Sequence, residues 1–448
     1  MTNNVSRQDF LKVSGAVALG GAAALADPAA IISTLAAAPP TTLNMWIWET
    51  VPHWNNVVKA SGLAQRFPNV QIQFTALAFA GLHQKLLTAL TAGIGTGLPD
   101  IARTHPSFYL PLVKTGAILE TTKQVSPYRK DIVASRYDGM LVDGKLYGVP
   151  DDFGAYLMGY RVDLFQKAGL PTDPDKVAAL WPTWAEFIKV GQHLKSKLGV
   201  NLLNVDPTTL YQNYEVVKNQ GSTGDFDAGG NVIFDSAYHV QAAQIWQGLF
   251  KSGLVTSYAV GAPQYWNAHK QGKIAAKIYP NWEDFVVQDF IPSTKGQWRI
   301  TRLPAPAAGV PRVAATDGVQ QIIPTGISAD RQQLALAVSM YLRLTTKATV
   351  AHMTEFPGAF ASYTPGLDAL SSRLSPVLDQ QSTYGYVPKV IREENMKPFL
   401  YSSTHFSKAD ALLQTAIFDI LSKNAPIAAT LKNAADQVRS LQQSTGQK

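Results

Sequence analysis

The chain has 448 residues, 46% hydrophobic, 10% aromatic and 16% charged; it is too long for one core and too apolar for general disorder, so two domains are expected. The net charge of +7 is spread along the sequence with no Lys/Arg run, so no nucleic-acid partner is expected. Cysteine is absent, which excludes disulfides, thiolate metal sites, a cysteine nucleophile and a lipid anchor on an N-terminal cysteine.

Residues 1–38 read as an export signal and linker. Ser6-Arg7-Gln8-Asp9-Phe10-Leu11-Lys12 precedes a small-residue apolar run from Val13 to Leu25, and Ala-x-Ala sites follow at Ala24–Ala26 and Ala36–Ala38. The first residues resemble the twin-arginine pattern, with Gln8 in place of the second arginine. The run is too short to span a bilayer, so export to the periplasm or to the outer face of the membrane is expected.

Leu43 to Trp48 is β-prone, Glu49 to Trp54 reads as a loop, and Val57 to Phe67 as a helix stopped by Pro68. Val70 to Phe74 alternates as a strand. Leu82, Leu86, Leu87 and Leu90 share one helical face, ended by the glycines of Gly93-Ile94-Gly95-Thr96-Gly97, and Leu98 to Ala102 is again strand-like. This order implies a mainly parallel sheet with helices on both faces. Ligands bind such sheets off the carboxyl ends of strands, which directs attention to Trp48-Glu49 and Thr104-His105.

In Tyr147-Gly148-Val149-Pro150-Asp151-Asp152, the proline lacks a backbone donor and two acids follow, so a central strand is not expected to continue here. An ordinary surface loop and an acidic joint between two packed units both fit these residues. Asp163 to Ala168 is a brief helix stopped at Gly169. Thr183 and Glu186 form a capping box for a helix striped by Phe187, Val190, Leu194 and Leu198. Helices are also expected over Tyr238 to Phe250, Ser328 to Leu344 and the C-terminal 40 residues, with a strand over Gln297 to Leu303.

Catalytic motifs are weak. There is no Gly-x-Ser-x-Gly elbow or His-Glu-x-x-His pair. The glycines at 93, 95 and 97 end a helix where a dinucleotide fingerprint must begin one. Asp225 to Asn231 has calcium-loop spacing, but Ser236 stands where the twelfth-position glutamate belongs, so a hairpin turn is expected. Asp151 and Asp152 should point opposite ways in an extended segment, a poor placement for a glycosidase acid/base pair. No cofactor and no metal are expected.

Gly144-Lys145, Tyr147 to Pro150, Tyr160-Arg161 and Asp163 to Leu170 resemble the segment Gly-Lys-x-Tyr-Gly-Val-Pro … Tyr-Arg-x-Asp-Leu-Phe-x-Lys-Ala-Gly-Leu of extracellular solute-binding proteins of ABC importers, the sugar-binding, maltose-binding-protein-like type. Pro182 to Phe187 and the run from Gln271 to Trp282 are similar to the same family, although Pro280-Asn281 replaces its small residue before the tryptophan. The resemblance extends from about Leu43 to Phe360. It implies a two-lobed α/β fold, each lobe a mainly parallel sheet flanked by helices, with a ligand cleft between the lobes. It assigns 41–148 plus 303–342 to lobe 1 and 152–300 plus 346–448 to lobe 2, with crossings near 148–152, 300–304 and 342–346.

The implied function is capture of a sugar or oligosaccharide by hinge closure, without catalysis, and delivery to the membrane permease of an ABC importer, by a monomer. Sugars need aromatic plates with carboxylates, amides and histidines around them. The expected site is Trp48, Glu49, Thr104, His105, Asp152, Tyr279, Asn281, Trp282, Asp317, Gly318, Phe356 and Phe360, with Trp282 the stacking residue and Asp151 facing solvent. Trp46, Trp184, Trp246 and Trp298 are assigned to cores. An exported carbohydrate-active enzyme, a surface adhesion module, and a binding protein for a polyol or glycerol phosphodiester are the alternatives.

Overall fold

The structure is a computed structural model; it describes residues 40–93, 97–210, 212–222, 224–399 and 402–446, without the side chains of Ala80 and Asp317. The export signal, Ile94-Gly95-Thr96 and the Asp317 side chain therefore lie outside the described residues.

Strand β1 (Thr41–Ile47) pairs in parallel with β2 (Val70–Ala76) and with β3 (Ile101–Thr104). Helices α1 (Val51–Ser61) and α2 (Phe79–Thr91) connect them, and α3 (Pro106–Lys114) follows β3. Helix α1 begins inside the expected loop, because Pro52 is tolerated in a first turn, where its missing donor costs nothing, and Gly62 stops it at φ 81°.

Strand β4 (Val149–Arg161) corrects the reading of its segment. A 13-residue central strand does run through Pro150. The proline is at its second position, where strands accept it, and a β-bulge between Pro150 and Asp152 absorbs Asp151. Its first half pairs antiparallel with β9 (Ala314–Ile322) and β10 (Phe360–Ala361). Its second half pairs antiparallel with β7 (Ala276–Pro280) and β8 (Trp298–Thr301). A separate pair, β5 (Leu203–Asn204) and β6 (Val255–Thr256), is parallel. Among the named strands of the described residues, parallel pairing is thus confined to β1–β3 and to β5–β6. Strands β4 and β9 run through one mixed, eight-stranded sheet.

Three hydrophobic cores sit around this sheet. One gathers Leu43, Trp54, Leu82, Ile101, Val149, Ile322 and Leu342. The other two share β4, whose side chains alternate: Tyr156, Met158 and Tyr160 enter one core, Phe153, Ala155 and Leu157 the other. Burial on both faces explains why residues 153–160 read as an almost continuous apolar run. Helix α4 (Trp184–Leu198) packs Phe187, Val190 and Leu194 as its stripe requires, and the Thr183 hydroxyl bonds the Glu186 carboxylate at its N-terminus. The C-terminal helices Phe406–Ser422 and Ile427–Thr445 complete the same core. Helices α5 (Ala329–Arg343) and α6 (Thr346–Glu355) meet at Leu344-Thr345, and α6 packs against α1.

Trp46, Trp184, Trp246 and Trp298 are all core residues. Asp225 to Asn231 closes as a hairpin turn: Phe226 bridges Val232, and Asp227 Oδ1 accepts from the backbone of Gly229 and Asn231, each at 2.9 Å.

Candidate functional site

A cavity of about 290 Å³ opens where the carboxyl ends of β1 and β3 face the segments after β7 and α6. Trp48 and Glu49 reach it from the end of β1, His105 from the end of β3 and Phe79 from the start of α2. Asn281, Trp282 and Phe285 line it from beyond β7, and Phe356 to Phe360 from beyond α6.

Its polar floor is built on Arg103, which is 2% exposed. Nε donates to Asp151 Oδ2 at 2.8 Å and Nη2 to Asp152 Oδ2 at 2.9 Å, while Nη1 bonds Glu49 Oε1. Glu49 Oε2 accepts from Trp54 Nε1 at 3.2 Å. The guanidinium lies over Trp48 and Trp54, 4.9 and 5.2 Å from their ring centres. Each of its three nitrogens donates to a carboxylate, so its charge is balanced within the floor. A second buried guanidinium, Arg343, stands 2.8 Å from Asp151 Oδ1.

Charge is divided unequally between the two aspartates. Burial opposes ionisation of Asp151, but Arg103 and Arg343 outweigh it and hold its carboxyl below the usual carboxylate range. For Asp152 burial dominates; Arg103 opposes it and the Asp151 charge reinforces it, and its carboxyl is pushed above that range. Asp151 is therefore corrected: it is fully buried rather than solvent-facing. The bulge turns both consecutive side chains onto Arg103, which a regular strand would have kept apart.

The walls are aromatic. Trp48 meets Phe79 edge-on at 5.3 Å, and Phe79 meets His105 at 5.3 Å. Phe79 is 41% exposed, a large apolar face left open at the cavity. Opposite, Phe285 and Phe356 lie 6.1 Å apart beside Trp282. His105 caps α3 by accepting from Ser107 N at 3.2 Å, and its own N–H donates to His83 Nε2 at 2.9 Å. Burial lowers His83 to about 4, so it is a neutral spacer, with its proton on Nδ1 toward the Phe79 carbonyl at 2.8 Å.

Two glycines shape the far wall. Gly358 has φ 84°, and a side chain there would run into the Asn281 carbonyl. Asn281 is held by this close approach: Nδ2 donates to Gly358 O at 2.7 Å and Oδ1 accepts from Ala155 N at 2.9 Å. Gly154 leaves room for the Trp282 indole, which a Cβ would meet at 2.8 Å.

Of the residues expected at the site, Trp48, Glu49, His105, Asp152, Asn281, Trp282, Phe356 and Phe360 line this cavity. Phe360 does so from within a core, with no exposed surface. Tyr279 does not line it: alternation along β7 sends its ring into the core, where its hydroxyl donates to Asp284 Oδ1 at 2.7 Å. Thr104 faces the other side of β3, accepting from Gln320 Nε2 at 3.1 Å, and Arg103 takes the inward position. Gly318 faces Arg136, and Val319 lines the cavity in its place. Sequence reasoning missed Arg103, Phe79, Phe285 and His352. The first of these carried a legible signal, a lone arginine within an apolar strand end.

Asp151, Asp152 and His352 offer three donor atoms within 4.8 Å of one another. Arg103 and Arg343 already balance those carboxylates, and a cation bound there would face two buried guanidiniums. The set does not fit a metal.

No helix among the described residues is long and apolar enough to cross a membrane. A sequence model of the family described as "Bacterial extracellular solute-binding protein" matches residues 51–339, well over half of the chain. Among curated proteins, the chain is 24% identical over 291 residues to an arabinooligosaccharide-binding protein of Halalkalibacterium halodurans, covering 63% of each. It is 25% identical over 287 residues to a lactose-binding protein of Rhizobium radiobacter, covering 63% of this chain and 65% of that one. The match thus spans a little under two thirds of these relatives' length. Among solved structures, the galacto-N-biose/lacto-N-biose I-binding protein of an ABC transporter from Bifidobacterium longum superposes with TM-score 0.73 at 16% identity, covering 92% of this chain and 99% of that one. The sugar-binding protein MalE of Xanthomonas citri gives 0.71 at 17% identity, covering 90% and 98%. These likenesses establish the two-lobed fold.

Proposed function

We infer the function from this premise: the chain belongs to the bacterial extracellular solute-binding protein family, and its cleft captures a sugar or oligosaccharide for an ABC importer. The observation that carries the reading is the pairing of an acidic floor, Glu49 and Asp152, with aromatic walls on both sides, Trp48 and Phe79 facing Trp282, Phe285 and Phe356. Sugar faces stack on such rings while their hydroxyls donate to carboxylates. The names of the curated relatives, which bind arabinooligosaccharides and lactose, support a sugar ligand.

We place the lobes at 41–148 plus 303–342 and 152–300 plus 346–448, with β4, β9 and the α5–α6 joint between them. Exchange of an open for a closed cleft would follow the hinge pattern of two-domain binding proteins. The chain acts as an exported monomer without catalysis, and its partner is the importer's permease. A hydrolytic role is disfavoured because Glu49, Asp151 and Asp152 all converge on Arg103, leaving an aromatic wall where a second carboxylate would be required. A phosphodiester ligand is disfavoured because Arg103, the one guanidinium or ammonium among the described lining residues, is already committed to three carboxylates.

The test is a thermal-shift screen of the full chain against neutral oligosaccharides, polyols and glycerol phosphodiesters. One neutral sugar should raise the melting temperature, as binding to the folded state requires. No shift with any sugar would refute the sugar reading, and a shift confined to phosphodiesters would replace it.

A further inference from the structure

His352 stands apart from everything so far assigned. It lies on α6, is 2% exposed, and lines the cavity. Neither of its ring nitrogens has a hydrogen-bond partner. Buried polar atoms are nearly always paired, and leaving two unpaired in one side chain is costly. The ring is held by packing: its centre is 5.3 Å from that of Trp54 and 5.0 Å from that of Phe356. It is neutral, because burial, aided by Arg343, drives its pKa well below the ordinary histidine value. A neutral imidazole has one donor and one acceptor, both unused here.

The distances say what would use them. A ring nitrogen of His352 and a carboxylate oxygen of Asp152 lie within 4.8 Å of each other, yet are not bonded. Two hydrogen bonds of ~2.8 Å meeting on one oxygen at a tetrahedral angle span about 4.6 Å. That bound admits a single hydroxyl that donates to the carboxylate and accepts from the imidazole N–H.

We propose that His352 is a ligand-binding residue that, with Asp152, holds one hydroxyl of the bound sugar at the floor of the cavity. This rests on the sugar reading above and adds a contact absent from the expected site. Because α6 also packs on α1, the same contact ties ligand binding to the joint between the lobes.

The test uses the full chain and the sugar that gives the largest thermal shift among arabinotriose, lactose, galactobiose and maltotriose. Calorimetric titration compares wild type with His352→Leu and His352→Gln, alongside monodeoxy analogues of that sugar. His352→Leu should weaken binding about tenfold or more while the free protein melts no lower, since the unpaired nitrogens are removed with the contact. His352→Gln, which retains a donor and an acceptor, should recover part of the affinity. One deoxy analogue should bind wild type about tenfold more weakly than the parent sugar, and the same change should cost clearly less in His352→Leu, where only the Asp152 contact remains to be lost. If His352→Leu fails to fold, the Gln variant and the deoxy series carry the same comparison. Wild-type affinity in the folded variants, or a loss that no deoxy position reproduces, overturns the proposal while leaving the sugar reading intact. Failure of wild type to bind any sugar of the thermal-shift screen refutes both.

Discussion

Replacing Arg103 with methionine preserves much of its length and removes its charge. In the structure one guanidinium holds three carboxylates, with Nε on Asp151, Nη1 on Glu49 and Nη2 on Asp152, at 2% exposure. Arg343 contacts only Asp151 among these. Removing one partner of a buried ionic group typically costs about 3–5 kcal/mol, because the remaining charge stays desolvated. With an unfolding entropy of about 2.1 cal/mol/K per residue over roughly 400 residues, that corresponds to a melting-temperature loss of about 4–6 °C.

The loss should depend on pH. In the wild type, the depressed pKa of Asp151 contributes stability that is present above the usual carboxylate range and lost as pH falls through its lowered value. In Arg103→Met, Asp152 loses the guanidinium that opposes the effect of its burial, so the penalty of its charge is largest at high pH and relieved as pH falls. Urea denaturation of both proteins at pH 5 and pH 8 should show the larger difference at pH 8. Equal stability of variant and wild type, or a difference unchanged between the two pH values, would refute the account of the floor as a charge-balanced cluster.

Trp282→Ala should abolish the thermal shift given by the best sugar while leaving the free protein's melting point nearly unchanged, since the ring lies at the cavity; a retained shift would remove Trp282 from the site. Gly358→Ala should lower the melting temperature and weaken ligand binding together, because φ 84° and the Asn281 carbonyl both reject a Cβ, at a cost of at least about 1 kcal/mol. Wild-type calorimetric traces from that variant would show that the turn is not required. Asp152, raised above its unfolded value, opposes folding increasingly as pH rises into the neutral range. Asp152→Asn should therefore gain stability relative to wild type as pH rises from 5 into the neutral range, by about 1 kcal/mol for each pH unit below the raised pKa, while binding sugar more weakly; a constant offset between pH 5 and pH 8 would contradict the raised pKa.

The parts of the fold legible in the sequence are those fixed by local pattern. The stripe of Phe187, Val190 and Leu194 and the strand alternation of Val70 to Phe74 each depend on neighbours a few residues away. What the pattern could not show is which face of a strand end meets the cavity. Position at the end of β3 points to Thr104 and His105; His105 lines the cavity, whereas Arg103 in place of Thr104 holds the inward position and makes the charge contacts. A lone arginine in an apolar strand end signals burial, but its partners, Glu49, Asp151 and Asp152, come from distant parts of the chain that no local pattern joins. Tyr279 failed for a related reason: its segment lies at the site, but its side chain follows the period of β7 into a core. Phe79 and His352 come from helices whose ends reach the cavity only after the lobes are assembled.

The bulge in β4 explains why two acids follow a proline there. In register, Val149 pairs with Gln321, Pro150 with Gln320 and Asp152 with Val319, so Asp151 is the residue left out of the ladder. Without that extra residue, consecutive side chains would point to opposite faces, and Arg103 could hold only one of the two carboxylates. With it, Asp152 turns toward the cavity and Asp151 turns inward to Arg343, at the end of the helix that leads into the last joint. One pair of adjacent aspartates thus connects the floor of the cavity through Arg103 to β3 and through Arg343 to the end of α5. A local insertion of one residue thus lets a central strand present two consecutive carboxylates to one guanidinium. It also makes the arrangement asymmetric in charge: Asp151, between two arginines, is the anchor, and Asp152, carrying the surplus of negative charge, is the carboxylate left for a ligand to satisfy.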